Sequence, residues 1–256
     1  MESVSGLHGL VAIVTAAGSG SGRAVARLFA RAGAAVVVAD PSANSAARTA
    51  VMLQSEGGTA LAAAGDPTDE AHIDRLVSRA TDRFGGIDIL VNNAEIGGGI
   101  KHPGDVTNAE WEREIRVNLT APFMLTRAVL PHMLEQRRGV IVSISSVAGV
   151  RGAAAGLPRT AAHHGLIGMV RNVAATYRTA GIRSNGIVVG GVPTGVGAAG
   201  NTGQEGWSPI LPVPNPGTAT DVRPEQVAAV ALFLASDAAC SVNGVVLPAD
   251  GGWGAL

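Results

Sequence analysis

The sequence predicts a single doubly wound α/β domain, a parallel sheet of seven strands with helices on both faces. Three observations carry that prediction. Short runs rich in Val, Ile and Ala alternate with longer segments of helical period. The runs are mostly apolar without alternation, as strands covered on both faces are. The first run leads directly into a glycine-rich turn and then a helix.

Taken in order, the strands are expected at residues 10–15, 35–39, 59–64, 87–92, 139–144, 182–189 and 245–248. A helix is expected to begin near Arg23, after the glycine-rich turn. Between the third and fourth strands, Ile73, Leu76, Val77, Ala80 and Phe84 recur at steps of three and four, which puts one apolar stripe on a helix facing the sheet. Thr107 with Glu110 has the spacing of a capping box ahead of a long helical stretch, and Pro224 suits the first turn of a late helix. Residues 190–222 are rich in Gly, Pro, Thr and Asn and show no period. A loop of that length inside one domain usually serves a ligand, so it is expected to cover a substrate or cofactor site.

Composition narrows the partners. With 46% hydrophobic residues and a formal net charge of −1, neither a disordered chain nor a broad basic field for nucleic acid is supported. Cys240 is the only cysteine and no secretory segment opens the chain, so a reducing, cytoplasmic setting is expected. The longest apolar run, 227–235, is too short to span a bilayer. The expected partner is a small molecule, with no nucleic acid, membrane or metal.

The turn Thr15-Ala16-Ala17-Gly18-Ser19-Gly20-Ser21-Gly22 places glycines where a backbone must bend and approach a pyrophosphate at a helix start. Asp40 ends the second strand eighteen residues past Gly22, where a carboxylate can accept hydrogen bonds from a ribose 2′-hydroxyl and repel a 2′-phosphate. Together they point to NAD(H) in preference to NADP(H).

Over nearly the whole chain these motifs resemble the short-chain dehydrogenase/reductase family, with its Rossmann-type sheet. Thr15 to Gly22 resembles the family's TGxxxGxG turn. By the same resemblance Asp66 meets the adenine, and Asn92-Asn93-Ala94 opens an NNAG motif. Asn118 matches the family's active-site asparagine, and Ser146 the serine that orients the substrate carbonyl. Thr194, after Pro193, matches the segment contacting the nicotinamide carboxamide, and Asp250-Gly251-Gly252-Trp253 the C-terminal strand exit. The resemblance thus implies a cofactor site of Thr15, Gly18, Ser19, Gly20, Gly22, Asp40, Asp66, Asn92, Ala94, His163 and Thr194. It also implies a homotetramer, paired through the helices that follow Thr107 and Arg159, where Ala161, Ala162, Gly165 and Gly168 allow close approach.

The departures are as informative. In the family, a tyrosine thirteen residues after the serine exchanges the substrate proton, and a lysine one helical turn later lowers its pKa and holds the ribose. Counted from Ser146, those positions are Arg159 and His163. Ala16 and Glu95 replace glycines of the turn and of NNAG, and Ser21 and Val189 replace an aliphatic residue and a proline. Ala16 would strain the turn if that position needs a positive φ, and Glu95 would repel a pyrophosphate if it faced the groove. An arginine can stabilise an oxyanion or bind a carboxylate but is a poor acid. His163, on the same helix face, is the better proton-transfer group. Tyr177 lies eighteen residues past Arg159 and is read as packing, and His164 as structural or exposed. Arg159 and His163 as two neighbouring cations would favour the neutral imidazole. The residues leave two readings open: an NAD(H)-linked oxidoreductase of small carbonyls or alcohols with Asn118, Ser146, Arg159 and His163 at its centre, and a non-catalytic relative that binds nucleotide or serves assembly. A non-redox lyase or isomerase, with Arg159 holding an enolate or carboxylate, is a third.

Overall fold

The computed structural model describes residues 6–152, 154–190 and 222–255. Seven strands form one parallel sheet: β1 (Val11–Thr15), β2 (Ala35–Asp40), β3 (Thr59–Ala64), β4 (Ile89–Asn92), β5 (Gly139–Ser146), β6 (Ile182–Val189) and β7 (Val246–Ala249). Their spatial order is β3-β2-β1-β4-β5-β6-β7. The order reverses between β1 and β4, and the crevice beyond the strand ends there is where such sheets bind ligands.

Helices α1 (Gly20–Arg31), α2 (Ala43–Ser55), α3 (Glu70–Phe84), α4 (Asn108–Ile115), α5 (Ala121–Gln136), α6 (Leu157–Tyr177) and α7 (Pro224–Ala235) cover both faces. Because successive side chains of a strand point to opposite faces, β1 feeds two cores at once. Ala12 and Val14 join Phe29 of α1, Leu53 of α2 and Leu234 of α7. Ile13 joins Leu76 of α3 and Leu125 and Met133 of α5. Phe29 is fully buried, and such a side chain contributes about 1.5–3 kcal/mol relative to an exposed one. Tyr177 packs at the edge of the second core.

Local signals place the helix ends. Thr107 and Glu110 form a complete capping box at the start of α4, and Pro224 opens α7. Gly85 closes α3 in the left-handed conformation. The first helix begins at Gly20, three residues ahead of the expected Arg23. The family-like tail is held by Asp250, whose carboxylate accepts hydrogen bonds from Gly252 N (2.9 Å) and Gly254 N (2.7 Å). The expected loop at 190–222 lies, apart from its two end residues, outside the described residues. Among the described residues no helix is long and apolar enough to cross a membrane, and no group of three His, Cys, Asp or Glu could hold a metal ion.

Candidate functional site

The ends of β1 and β4 are tied into one floor. The Thr15 hydroxyl accepts hydrogen bonds from the backbone N–H of Asn93 (2.9 Å) and Ala94 (3.0 Å), and the Asn93 amide donates to the Thr15 carbonyl (3.0 Å). Asn92 is turned inward: it is buried, with its amide 3.5 Å from the Thr126 hydroxyl. Above this floor the turn closes tightly. At Gly22 any Cβ would overlap the Ala16 carbonyl oxygen, so only glycine fits. Ala16 itself takes φ +49°, the left-handed conformation that glycine adopts freely. The turn therefore forms with alanine, at a conformational cost.

Asp40 locks onto this turn, its two carboxylate oxygens accepting the N–H of Gly18 (2.9 Å) and of Ser42 (2.9 Å). Each oxygen keeps a lone pair for a further donor. Ser19 precedes α1 in extended conformation and makes no side-chain cap, so the first N–H groups of the helix are left to water or an anion. A cleft lined by Thr15, Ala16, Asp40, Gly65, Pro67 and His72 adjoins the turn. Asp66 stands at its rim, its carboxyl held below the ordinary range chiefly by the hydrogen bond from Thr68 N (2.8 Å). These residues could hold the adenosine end of a dinucleotide.

The other end of the crevice is built from charge. α6 carries Arg159 and His163 one turn apart, and the Glu95 carboxylate from the loop after β4 lies against both. Its Oε1 takes an ion pair from Arg159 and lies 3.1 Å from His163 Nε2. A carboxylate only accepts, so Nε2 carries the hydrogen. The opposite ring nitrogen, Nδ1, lies 3.2 Å from the Ser145 hydroxyl. His163 is 1% exposed and Ser145 2%, so both ring nitrogens are engaged inside the protein. Burial pushes the Glu95 carboxyl up, but the hydrogen bond from His163 and the charge of Arg159 outweigh it and hold it below the usual carboxylate range. Although surrounded by protein, Glu95 keeps 26% of its side-chain surface open to solvent, as a group at the bottom of a cleft would. Glu95 thus pairs with the two residues at the tyrosine and lysine positions. The arrangement of two bare neighbouring cations does not occur.

Asn118 lies in a π-helical turn, Arg116–Thr120, that joins α4 to α5. Such turns redirect side chains and recur at functional sites. The Asn118 amide is aimed at the loop carrying Glu95, accepting from Ile96 N (2.9 Å) and donating to Ile96 O (2.9 Å). Ser146 ends β5 and caps the following turn, its hydroxyl accepting from Ala148 N (3.2 Å). The structure thus brings Asn118, Arg159 and His163 to one loop, 93–102, with Ser146 at the adjoining strand end. Thr194 lies outside the described residues. His164 is exposed, with Nδ1 2.9 Å from the Thr160 carbonyl oxygen. Lys101 pairs with Glu110.

Sequence reasoning passed over Ser145 and Glu114. The first was legible from strand alternation, since Ser145 and Ser146 must face opposite sides and one of them α6. Glu114, four residues before Asn118, shares its stretch of helix and is buried.

Chemically, the adenosine end can hold a nucleotide through backbone and carboxylate contacts. The charged end can stabilise an oxyanion with Arg159 and pass protons among Glu95, His163 and Ser145.

Comparison with known proteins agrees with this geometry. Residues 10–205 match the model of the short chain dehydrogenase family. The chain is 40% identical over 263 residues to Short-chain dehydrogenase/reductase olcF of Penicillium canescens, with 98% of each chain covered. It is 38% identical to the cis-4-hydroxycyclohexanecarboxylate dehydrogenase of Sinomonas cyclohexanicum, covering 96% of this chain and 97% of that one. A crystal structure of a short-chain dehydrogenase/reductase from Burkholderia xenovorans superposes with a TM-score of 0.86 at 34% identity, covering 98% and 99% of the two chains. Dehydrogenases of this kind typically use NAD(P), and the relatives' oxidoreductase names support a redox function. Matched across most of its length by the family model, and over nearly all of it in sequence and shape, the chain belongs to the short-chain dehydrogenase/reductase family.

Proposed function

We propose that the protein is an NAD(H)-linked oxidoreductase of a small carbonyl or alcohol, in which Glu95, Arg159 and His163 stand in place of the family's tyrosine and lysine. One observation carries the reading. The three replacements meet in a single hydrogen-bonded cluster, with Glu95 bonded to both partners. Residues that had merely drifted at a disused site would have no reason to satisfy one another across more than sixty residues of chain.

In this reading Gly18, Ser19, Gly20 and Gly22 form the pyrophosphate turn, Asp40 takes the adenosine ribose and Asp66 flanks the adenine. Thr15 braces Asn93 and Ala94 behind the groove. His163 stands at the nicotinamide ribose, and Thr194 belongs to the segment at the carboxamide. NADH, when bound, supplies the hydride. Arg159 stabilises the charge that grows on the substrate oxygen, Ser146 orients that oxygen, and Asn118 fixes the loop that carries Glu95. Residues 190–222 shape the substrate pocket. Exposed Trp111 and Phe123, on α4 and α5, support a homotetramer assembled through these helices. Gly168 leaves open space for a neighbour, whereas Gly165 is already filled by Leu119. Light scattering at micromolar concentration tests the assembly.

The deciding experiment is calorimetric titration with NADH and NADPH, followed by single-turnover oxidation of the bound NADH across a panel of small carbonyls. NADH should bind more tightly, because Asp40 meets the 2′-position, and Asp40→Ala should erase the preference. Equal or tighter NADPH binding rejects the assignment. A second reading, a non-catalytic nucleotide-binding subunit, draws on the same Glu95 bridge, which fills space between the two catalytic positions. Tight NADH binding with no carbonyl-dependent oxidation would select it.

A further inference from the structure

Glu114 is the only buried residue of α4, with 6% of its surface exposed. A helix laid on a core normally buries apolar side chains there. Its Oε1 lies so close beneath the loop that a Cβ on Gly98 would overlap it. Its Oε2 is enclosed without a hydrogen-bond partner, and so is Nε of Arg159. Glu114 joins none of the ion pairs among the described residues, while Glu95 is committed to Arg159 and His163 and Lys101 to Glu110. The ionisable groups that act on it are Arg159 and His163 from α6 and Arg113 and Glu110 from its own helix. Burial is the strongest influence on this carboxyl and drives it above the ordinary glutamate range, against the opposing pull of Arg159, Arg113 and His163. A leucine would fill the place without a desolvated carboxyl, so packing gives no reason for an acid here. A buried, unpartnered acid within electrostatic reach of the residues at the tyrosine and lysine positions is a candidate for proton chemistry.

We propose that Glu114 is the proton donor of carbonyl reduction in this protein, the part a tyrosine plays in its relatives. The assignment rests on the oxidoreductase reading with NADH as reductant. When the carbonyl carbon gains a hydride, the C=O π pair moves to oxygen. The carboxyl O–H of Glu114 breaks, its proton bonds to that oxygen to give the alcohol, and the electron pair stays on the carboxylate. The Arg159 guanidinium then faces a second carboxylate and stabilises it until solvent returns the proton.

The test uses the full-length protein and begins without cofactor. Infrared difference spectroscopy should show a protonated-carboxyl C=O band that persists above pH ~4.3, the ordinary glutamate pKa, and is missing in Glu114→Gln. With NADH and the best carbonyl of the panel, Glu114→Gln should lower kcat roughly 10²-fold or more with NADH affinity unchanged, and Glu114→Asp should recover part of it. The native rate should fall as pH rises through the midpoint of that band. Glu114→Leu should fold with a raised Tm and be inactive. Absence of the band in the folded native protein overturns the proposal without any turnover being measured. A Glu114→Gln variant with native kcat and an unchanged pH profile overturns it while leaving the oxidoreductase reading standing. Native protein that oxidises NADH with no carbonyl ends that reading and the donor with it.

Discussion

The two ends of the crevice are built on different principles. At the adenosine end single side chains hold backbone N–H groups: Thr15 those of Asn93 and Ala94, and Asp40 those of Gly18 and Ser42. At the other end side chains meet one another from distant segments: Glu95 from the loop after β4, Arg159 and His163 from α6, Ser145 from β5. A backbone frame tolerates a substituted side chain, as Ala16 shows by taking the glycine conformation. A charged cluster does not, because changing one member strands the others. Replacement at the second end therefore has to be collective, and the cluster is what a collective replacement looks like.

The largest expected effect breaks that collectivity on purpose. Changing Arg159→Tyr and His163→Lys alone would leave Glu95 paired with the new lysine, so the gain in carbonyl reduction should be small. Adding Glu95→Gly should release the lysine to the tyrosine and raise NADH-dependent turnover above that of the double variant. A double variant as fast as the triple would show that Glu95 does not bind the set together.

Stability gives the next contrast. Arg159→Met should cost about 2–3 kcal/mol by urea denaturation, since it leaves a carboxylate with one partner in a partly closed site. The pair Glu95→Gln with Arg159→Met should recover most of that loss, and simple additivity in the cycle would argue against coupling. At the adenosine end, Ala16→Gly should act alone and in the other direction, raising stability by about 0.5–1 kcal/mol through relief of the positive φ. Its thermal midpoint should rise while the Arg159 cycle is unchanged.

The smallest effect is a difference in pH response between two carboxylates one turn apart on α4. Glu110 is pulled down to about 2 by the hydrogen bond from Lys101 and by those of Thr107. Its folded pKa is below its unfolded one, so its contribution is full above the ordinary glutamate range and is lost as pH falls towards 2. Glu114 has the opposite sign: its raised folded pKa makes stability fall as pH rises through that value. Denaturation midpoints of Glu110→Gln and Glu114→Gln across the acid range should therefore diverge from the native curve in opposite directions.

How much of this was legible in the sequence depended on how local each cause is. The third and sixth strands match their expected bounds because apolar runs and flanking turns define them. β5 runs on to Ser146 because Ser145 and Ser146 pair with Val188 and Val189, a register no single run announces. β4 begins at Ile89 because the Asp88 side chain is already engaged, accepting from Val11 N at 2.8 Å. At the site, the helical spacing of Arg159 and His163 was legible at once. That Glu95 answers both was not, because 64 and 68 residues separate them and only the fold brings them together. Glu114 could have been noticed as an acid one turn before Asn118, but its burial comes from the packing of α4 on α6.

The Thr15 hydroxyl, tied to residues 78 and 79 positions later, also sets an order of events as the chain is made. The floor beneath the glycine-rich turn cannot close until β4 and the two residues after it have left the ribosome, although the turn itself is complete by Gly22. Parallel pairing over such separations is slow, because loop closure must come before the contacts that reward it. For that interval the edge of β1 that will pair with β4 is open to other chains, and it is the part of this protein where early chaperone contact would matter most.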